Sequence, residues 1–409
     1  MAGMAPYAGP LWLAGGHLQT IVPALFGHKP ALSFRRERWR TPDGDFIDLD
    51  WADGGRDVPV GRRKDDADPS PLVVPSDGIN GSALMDTPNT LATPQPLFVL
   101  FHGLEGSSDS HYARWAMSAA AARGWRAVIP HFRSCSGPLN EAPRFYHSGD
   151  AAEIDWILNR LHTESLPGTP IYVAGVSLGG NALLRWLGEN PELAPKRVRA
   201  AAAISAPVDL AAGGHALARG FNRVYTRHFL QTLKAKSQLK LQQFPGLFDR
   251  EAMLSADTLH RFDNIVTAPL HGYKDADDYW RRASAKPILP NITVPTLVLN
   301  ARNDPFLPAS ALPTRAEVSA LVTLEQPATG GHVGFLGTGD AQGATQGQVR
   351  GQIRGETRSE LPGETRGNMP GATQGEMPGA TQGGTVYAQK GGAWLASRLL
   401  HFFETHQER

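Results

Sequence analysis

The stretch Ile171–Arg185, IYVAGVSLGGNALLR, runs from a β-branched apolar segment into a helix-forming one through Gly175-Val176-Ser177-Leu178-Gly179. This is the G-x-S-x-G pattern of a strand–turn–helix nucleophile elbow. Such a turn forces its serine into a strained backbone conformation. Only glycine at 175 and 179 lets strand and helix approach closely enough. The hydroxyl of Ser177 would then stand at the carboxyl edge of a sheet, at the N-terminus of the following helix.

On either side of this stretch, strand and helix alternate. Pro96–Gly103, Trp125–Phe132, Val198–Ser205 and Thr296–Asn300 are apolar runs of strand length. His111–Arg123 is an Ala-rich helix, and Asp150–His162 shows an apolar face at Ile154, Ile157, Leu158 and Leu161. Ala393–Phe403 closes the chain as an amphipathic helix. Uninterrupted apolar strands alternating with helices predict a mostly parallel sheet with helices on both faces. Ahead of it, Arg36–Arg40 and Phe46–Trp51, joined through Pro42-Asp43-Gly44, read as an antiparallel hairpin.

Two stretches depart from this pattern. Residues 53–95 are rich in Asp, Pro, Gly, Ser and Thr, and residues 338–384 repeat GATQG at 343–347, 371–375 and 379–383. Neither holds enough apolar surface to offset chain entropy, so both read as disordered polar insertions. Setting them aside leaves one α/β unit: an N-terminal segment and hairpin (1–52), a first core part (96–208), a second (286–337) and a terminal helix (385–409). Residues 209–285, mostly helical, interrupt the core before the strand at 296 and are expected to lie over its carboxyl edge as a lid, where open α/β sheets bind ligands.

Composition narrows the function. With 40 basic and 39 acidic residues the net charge is +1, which supports no nucleic-acid partner. One cysteine, Cys135, excludes an internal disulfide framework and fits a reducing, cytoplasmic setting. No Cys cluster and no H-E-x-x-H run suggests a metal, and no cofactor is called for. The N-terminal 27 residues lack a basic n-region and are interrupted by Gly15, Gly16, His17 and Gln19, so they read as neither signal peptide nor membrane span. Leu11, Trp12, Leu13 and Ile21 leave a weak peripheral membrane contact open beside ordinary packing on the domain.

A serine hydroxyl needs an adjacent base, itself oriented by an acid. In α/β-hydrolases these follow the serine in the order acid, then histidine. Asp304 lies in the loop just past the strand 296–300, and His332 lies between glycines in the loop past Val322–Glu325. His102 and His131 precede the serine, and His215, His228 and His271 fall in the expected lid. The oxyanion donors would be the backbone N–H groups of Leu178, next to the nucleophile, and of Leu104, in the loop His102-Gly103-Leu104-Glu105-Gly106. A carboxylate beside an oxyanion would oppose the chemistry, so Glu105 reads as a structural hydrogen-bonding group. Phe221, Tyr225, Phe229 and Leu230 suggest an apolar acyl pocket or, equally, the core of the lid itself.

The runs GGHLQT (15–20), HGLEGSSDSHY (102–112), FRSCSG (132–137), YHSGD (146–150), GVSLGGNALL (175–184), TAPLHGY (267–273), NDPF (303–306) and GGHVGF (330–335) resemble the YheT-like esterases of the α/β-hydrolase family 4 group. The resemblance covers most of the chain outside the two insertions. It implies a triad of Ser177, Asp304 and His332 and carboxylic-ester hydrolysis, with acyl transfer to an alcohol in some relatives. Ser134 stands where the family more usually has glycine. Two roles stay open for Tyr146, His147 and the run 15–20: contact with substrate, or a buried polar network holding the N-terminal segment over the sheet.

The expected function is a serine hydrolase acting on short- to medium-chain acyl esters or acylglycerols. Acyl transfer to an alcohol is the alternative, and a non-catalytic binding protein on a hydrolase scaffold is a third reading. The expected partner is a small-molecule acyl ester.

Overall fold

The computed structural model of the chain describes residues 6–52, 94–337 and 393–407. The insertions expected at 53–95 and 338–384 fall almost wholly outside them. Eight strands form one sheet: β1 (Arg35–Arg40), β2 (Phe46–Ala52), β3 (Leu97–Phe101), β4 (Arg126–Pro130), β5 (Ile171–Val176), β6 (Ala200–Ile204), β7 (Thr296–Leu299) and β8 (Val322–Glu325). Their order is β1-β2-β4-β3-β5-β6-β7-β8. The pairs from β4 to β8 are parallel, and the two pairs that include β2 are antiparallel.

Strands β2 to β7 are buried along almost their entire length, because helices cover both faces. Successive side chains point to opposite faces of a strand. In β3, Leu97, Val99 and Phe101 therefore join one core with α3 (Ala151–Glu164) and α4 (Leu178–Glu189). Phe98 and Leu100 join the other, with α2 (His111–Ala122) and the terminal α8 (Ala393–Glu404). On α3 the buried Ile154, Ile157, Leu158 and Leu161 recur at helical spacing, each stabilising the packing by roughly 1.5–3 kcal/mol.

The hairpin β1–β2 solves a problem that the sequence leaves visible, since β2 (FIDLDWA) is wholly buried yet carries two aspartates. Arg36 pairs across the register with Asp50 and Arg38 with Asp48, each through two guanidinium nitrogens. Asp50 also accepts from Ser108 and meets His131 Nε2 at 2.9 Å. Those donors outweigh its desolvation and hold its carboxyl well below the usual range.

Before the hairpin lies α1 (Gly16–Phe26), which periodicity did not predict. Between β6 and β7 come α5 (Leu210–Leu217), α6 (Arg223–Gln243) and α7 (Ala276–Ala283), with shorter turns between them. This helical segment has small cores of its own, one around Leu210, Tyr279 and Trp280 and another around Leu230, Met253 and Phe262.

Candidate active site

β5 ends at Val176 and α4 begins at Leu178, so Ser177 alone makes the turn. Its φ of 52° and ψ of −118° lie where a non-glycine residue costs on the order of 1–3 kcal/mol. The Ser177 N–H donates to the Ile204 carbonyl at 2.8 Å, tying the turn to β6. A Cβ on Gly175 would meet the Gly179 carbonyl oxygen at 2.4 Å, and one on Gly179 would meet the His102 carbonyl oxygen at 2.5 Å. Glycine at both positions is a requirement of close approach.

Ser177, Asp304 and His332 come together. His332 Nε2 is 3.0 Å from Ser177 Oγ, and His332 Nδ1 is 2.9 Å from Asp304 Oδ2. A carboxylate only accepts, so Nδ1 carries the imidazole proton and Nε2 faces the serine hydroxyl as an acceptor. Asp304 is fixed in turn by the Phe306 N–H, which donates to its Oδ1 at 2.8 Å. The Phe306 ring stacks on His332 at 4.0 Å.

The histidine loop is held from three sides. The His332 N–H donates to Thr20 Oγ1 at 2.9 Å, and the Val333 N–H donates to Ser205 Oγ at 3.0 Å. Gln19 Oε1 accepts from Gly330 and from the Asn303 amide. Gln19 and Thr20 of the run 15–20 thus belong to a buried polar network. Sequence reasoning missed Asn303 and Ser205 as positioning residues. No local signal marked Ser205; Asn303 stood beside Asp304 in the quoted NDPF run.

Among the described residues, neither the Leu104 nor the Leu178 N–H donates to a protein acceptor. Both residues line the same cavity as Ser177 and His332. Next to Leu104, Glu105 has φ 56° and is engaged on every side. Its N–H donates to Tyr146 Oη at 2.8 Å, its Oε1 accepts from that hydroxyl at 2.9 Å, and Lys236 Nζ lies 2.8 Å from its Oε2. Tyr146 thereby braces the loop that carries the Leu104 N–H. Cys135 is also near Lys236, but burial outweighs that cation and pushes the thiol up to about 12. It is no thiolate at neutral pH.

The cavity has a volume of about 140 Å³ and runs from Ser177 beneath the helical segment. Leu210, Leu217, Phe229, Leu233, Phe262 and Val266 make its wall largely apolar. Polar groups interrupt it at His147, Ser237, Asp263 and His271. The His147 and His271 rings meet at 4.2 Å, tilted by 48°, and burial pushes each down to about 3, so both are neutral. The Gly149 N–H donates to His147 Nδ1, which leaves the proton on Nε2. Ser237 Oγ and His271 Nε2 are buried without a partner among the described residues.

Phe221 and Tyr225 do not line this cavity. Phe221 is half-exposed and packs on His17 at 4.7 Å, while Tyr225 sits behind Phe306 at 4.8 Å with its hydroxyl on His17 Nδ1. Neither is among the residues that line the cavity, whereas Phe306 is. Leu230, one turn along, is buried in the helical segment's own core.

Residues 96–337 match the profile of a family described as alpha/beta hydrolase fold. The YheT protein of Escherichia coli, named as a candidate esterase, is 36% identical over 323 residues, covering 78% of this chain and 84% of its own. A mouse protein named Phospholipase ABHD3 is 29% identical over 81% of this chain and 73% of its own length. A Saccharomyces cerevisiae protein named Monoacylglycerol lipase is 26% identical over 79% of this chain and 75% of its own. With a profile matched over more than half its length and YheT alike along most of both chains, this chain belongs to the α/β-hydrolase family, in its YheT-like group of esterases.

Proposed function

We propose that the protein is a serine hydrolase that cleaves carboxylic esters with a medium-length acyl chain, acylglycerols among them, through an acyl-enzyme on Ser177. The hydrogen-bonded chain from Ser177 through His332 to Asp304 carries this reading. In acylation the Ser177 proton passes to His332 Nε2 as Oγ forms a bond to the acyl carbon. The carbonyl π electrons move onto oxygen, where the N–H groups of Leu104 and Leu178 stabilise the negative charge. Collapse expels the alcohol oxygen, which takes the proton from His332. Water repeats the sequence in deacylation and releases the acid, restoring the serine. Asp304 keeps the imidazole in the required tautomer and stabilises the imidazolium that forms.

The helical segment serves as the lid of this site. Its apolar wall suits an alkyl chain, and the free polar atoms of His271 and Ser237 suit one polar group of a bound ester. A fluorophosphonate probe tests the nucleophile. Wild type is expected to label and Ser177→Ala to stay unlabelled; equal labelling of both would sink the assignment. Hydrolysis of p-nitrophenyl esters from acetate to palmitate tests the chain length, with an optimum between the extremes expected.

A further inference from the structure

Helix α1 has its amphipathy reversed. A helix on a globular surface ordinarily turns apolar side chains inward and polar ones to water. Here the buried residues are Gln19, Thr20 and Pro23, whereas Leu18, Leu25 and Phe26 face outward at 49%, 70% and 78% exposure. The turn ahead of α1 adds the fully exposed Leu11 and the half-exposed Trp12. The polar residues have gone inside because the histidine loop needs them, and Leu18, Leu25 and Phe26 are left exposed among the described residues.

A second element extends this surface. The His17 ring meets Phe221, and Phe221, in the turn before α6, and Val224, at its start, are both more than half exposed. Ten large apolar side chains are exposed among the described residues, and seven of them fall in residues 11–26 and 221–224, which meet through His17. Scattered exposed apolar residues need no account, but a concentration of this kind marks an interaction surface.

Charge identifies the occupant. Residues 1–36 and 210–248, the segments that build the face, contain no aspartate or glutamate, although the chain has 39 acidic residues in all. Lys29, Arg219, Arg223 and Arg227 are exposed within them. Exposed apolar side chains, a tryptophan among them, on segments that hold exposed cations and no acid suit the interface of a lipid bilayer with anionic headgroups. A second copy of the chain suits it poorly, since two such faces in apposition would set cation against cation. No helix among the described residues is long and apolar enough to cross a membrane, so the contact is peripheral. We propose that the face formed by α1, the turn before it and the start of α6 docks on anionic lipid bilayers.

This inference is independent of the chemistry proposed for Ser177. The face is nonetheless close to it: the Phe306 ring meets His332 at 4.0 Å and Tyr225 at 4.8 Å, and Tyr225 bonds His17.

Sedimentation of the full chain with large unilamellar vesicles tests the proposal. Wild type is expected to bind vesicles of mixed phosphatidylglycerol and phosphatidylcholine, and to lose them as salt rises. Leu25→Glu with Phe26→Glu is expected to weaken binding about tenfold or more. Arg223→Glu with Arg227→Glu is expected to weaken it by at least about thirtyfold, since the loss of each surface cation alone costs roughly fivefold. Both variants should keep the wild-type circular dichroism, unfolding midpoint and rate on p-nitrophenyl acetate. Ser177→Ala should bind vesicles like wild type, which keeps this test separate from that of the nucleophile. Three outcomes overturn the proposal: no binding to anionic vesicles, binding of both variants equal to that of wild type, or a dimer in solution that Leu25→Glu with Phe26→Glu dissociates.

Discussion

The side-chain oxygen of Gln19 accepts the backbone N–H of Gly330 at 2.8 Å, across 311 positions of the chain. The same oxygen takes a hydrogen bond from the Asn303 amide at 2.9 Å, and Asn303 Oδ1 accepts the Gly331 N–H at 3.0 Å. One buried side chain therefore ties the loop bearing Asp304 to the loop bearing His332. Its Nε2 donates to the Leu13 carbonyl at 2.8 Å, which anchors it to the N-terminal segment.

Gln19→Ala leaves the Gly330 N–H and the Asn303 amide short of a buried acceptor. The expected cost is about 1–3 kcal/mol of stability. Because small displacements of reacting groups cost up to about 100-fold, a fall in kcat of about 10- to 100-fold with little change in KM should accompany it. Denaturant unfolding and steady-state hydrolysis check the two effects. A stability loss with kcat intact would reduce the network to a purely structural role.

Ser177→Ala and His332→Ala are each expected to lower kcat by about 10⁴-fold or more, and the double variant by scarcely more than either, since the two act as a unit. Multiplying losses would contradict the proposed proton transfer. Ser177→Gly relieves the left-handed φ of the turn and is expected to unfold at higher temperature than Ser177→Ala, by an equivalent of about 1 kcal/mol. Calorimetry of the two inactive variants provides the comparison.

Tyr146→Phe removes the hydroxyl that accepts the Glu105 N–H and donates to its carboxylate. The loop bearing Leu104 then loses its brace. A decrease of roughly tenfold in kcat is expected, on the scale of about 1–3 kcal/mol for a buried group left unpaired. Fluorophosphonate labelling should slow in parallel, whereas Tyr112→Phe, acting on the Gly103 N–H, gives a second view of the same loop.

Asp263 supplies the pH dependence. Burial in the cavity wall pushes its carboxyl up to about 6, against hydrogen bonds from Thr267 and Trp280. The folded state therefore binds a proton that the unfolded chain has released between about pH 4 and 6. Stability from this group is complete below the unfolded pKa and is lost as pH rises through 6. Asp263→Asn removes that loss. Its unfolding midpoint should exceed wild type at pH 7.5 and match it near pH 4, as thermal scans across that range will report. An equal shift at both pH values would mean that Asp263 does not titrate there.

The alternation of apolar runs foretold the sheet because buried parallel strands must be apolar throughout, and Ile171–Val176 and Leu97–Phe101 follow that rule. The hairpin was legible from Pro42-Asp43-Gly44 between two strand-like runs. Helix α1 was not. Periodicity assumes that apolar means inside, and α1 places Gln19 and Thr20 inside instead. Ser134, read as a departure from a family glycine, has φ 66°, the region that favours glycine; its hydroxyl compensates by bonding Asn140 Oδ1 at 2.6 Å.

What the sequence determined by itself was the order of elements and which residues stand at the ends of strands, since both follow from local pattern and turn chemistry. Ser177, Asp304 and His332 are each legible in that way, one loop at a time. Only the tertiary structure decided what holds them together. The distances of 2.9 and 3.0 Å depend on Gln19, Thr20 and Ser205, drawn from two remote segments, and hydrogen bonds between residues so far apart in the chain leave no periodic trace. The same is true of Phe221 and Tyr225: their aromatic character suggested an acyl pocket, and the fold sets them against His17 and Phe306, outside the cavity lining.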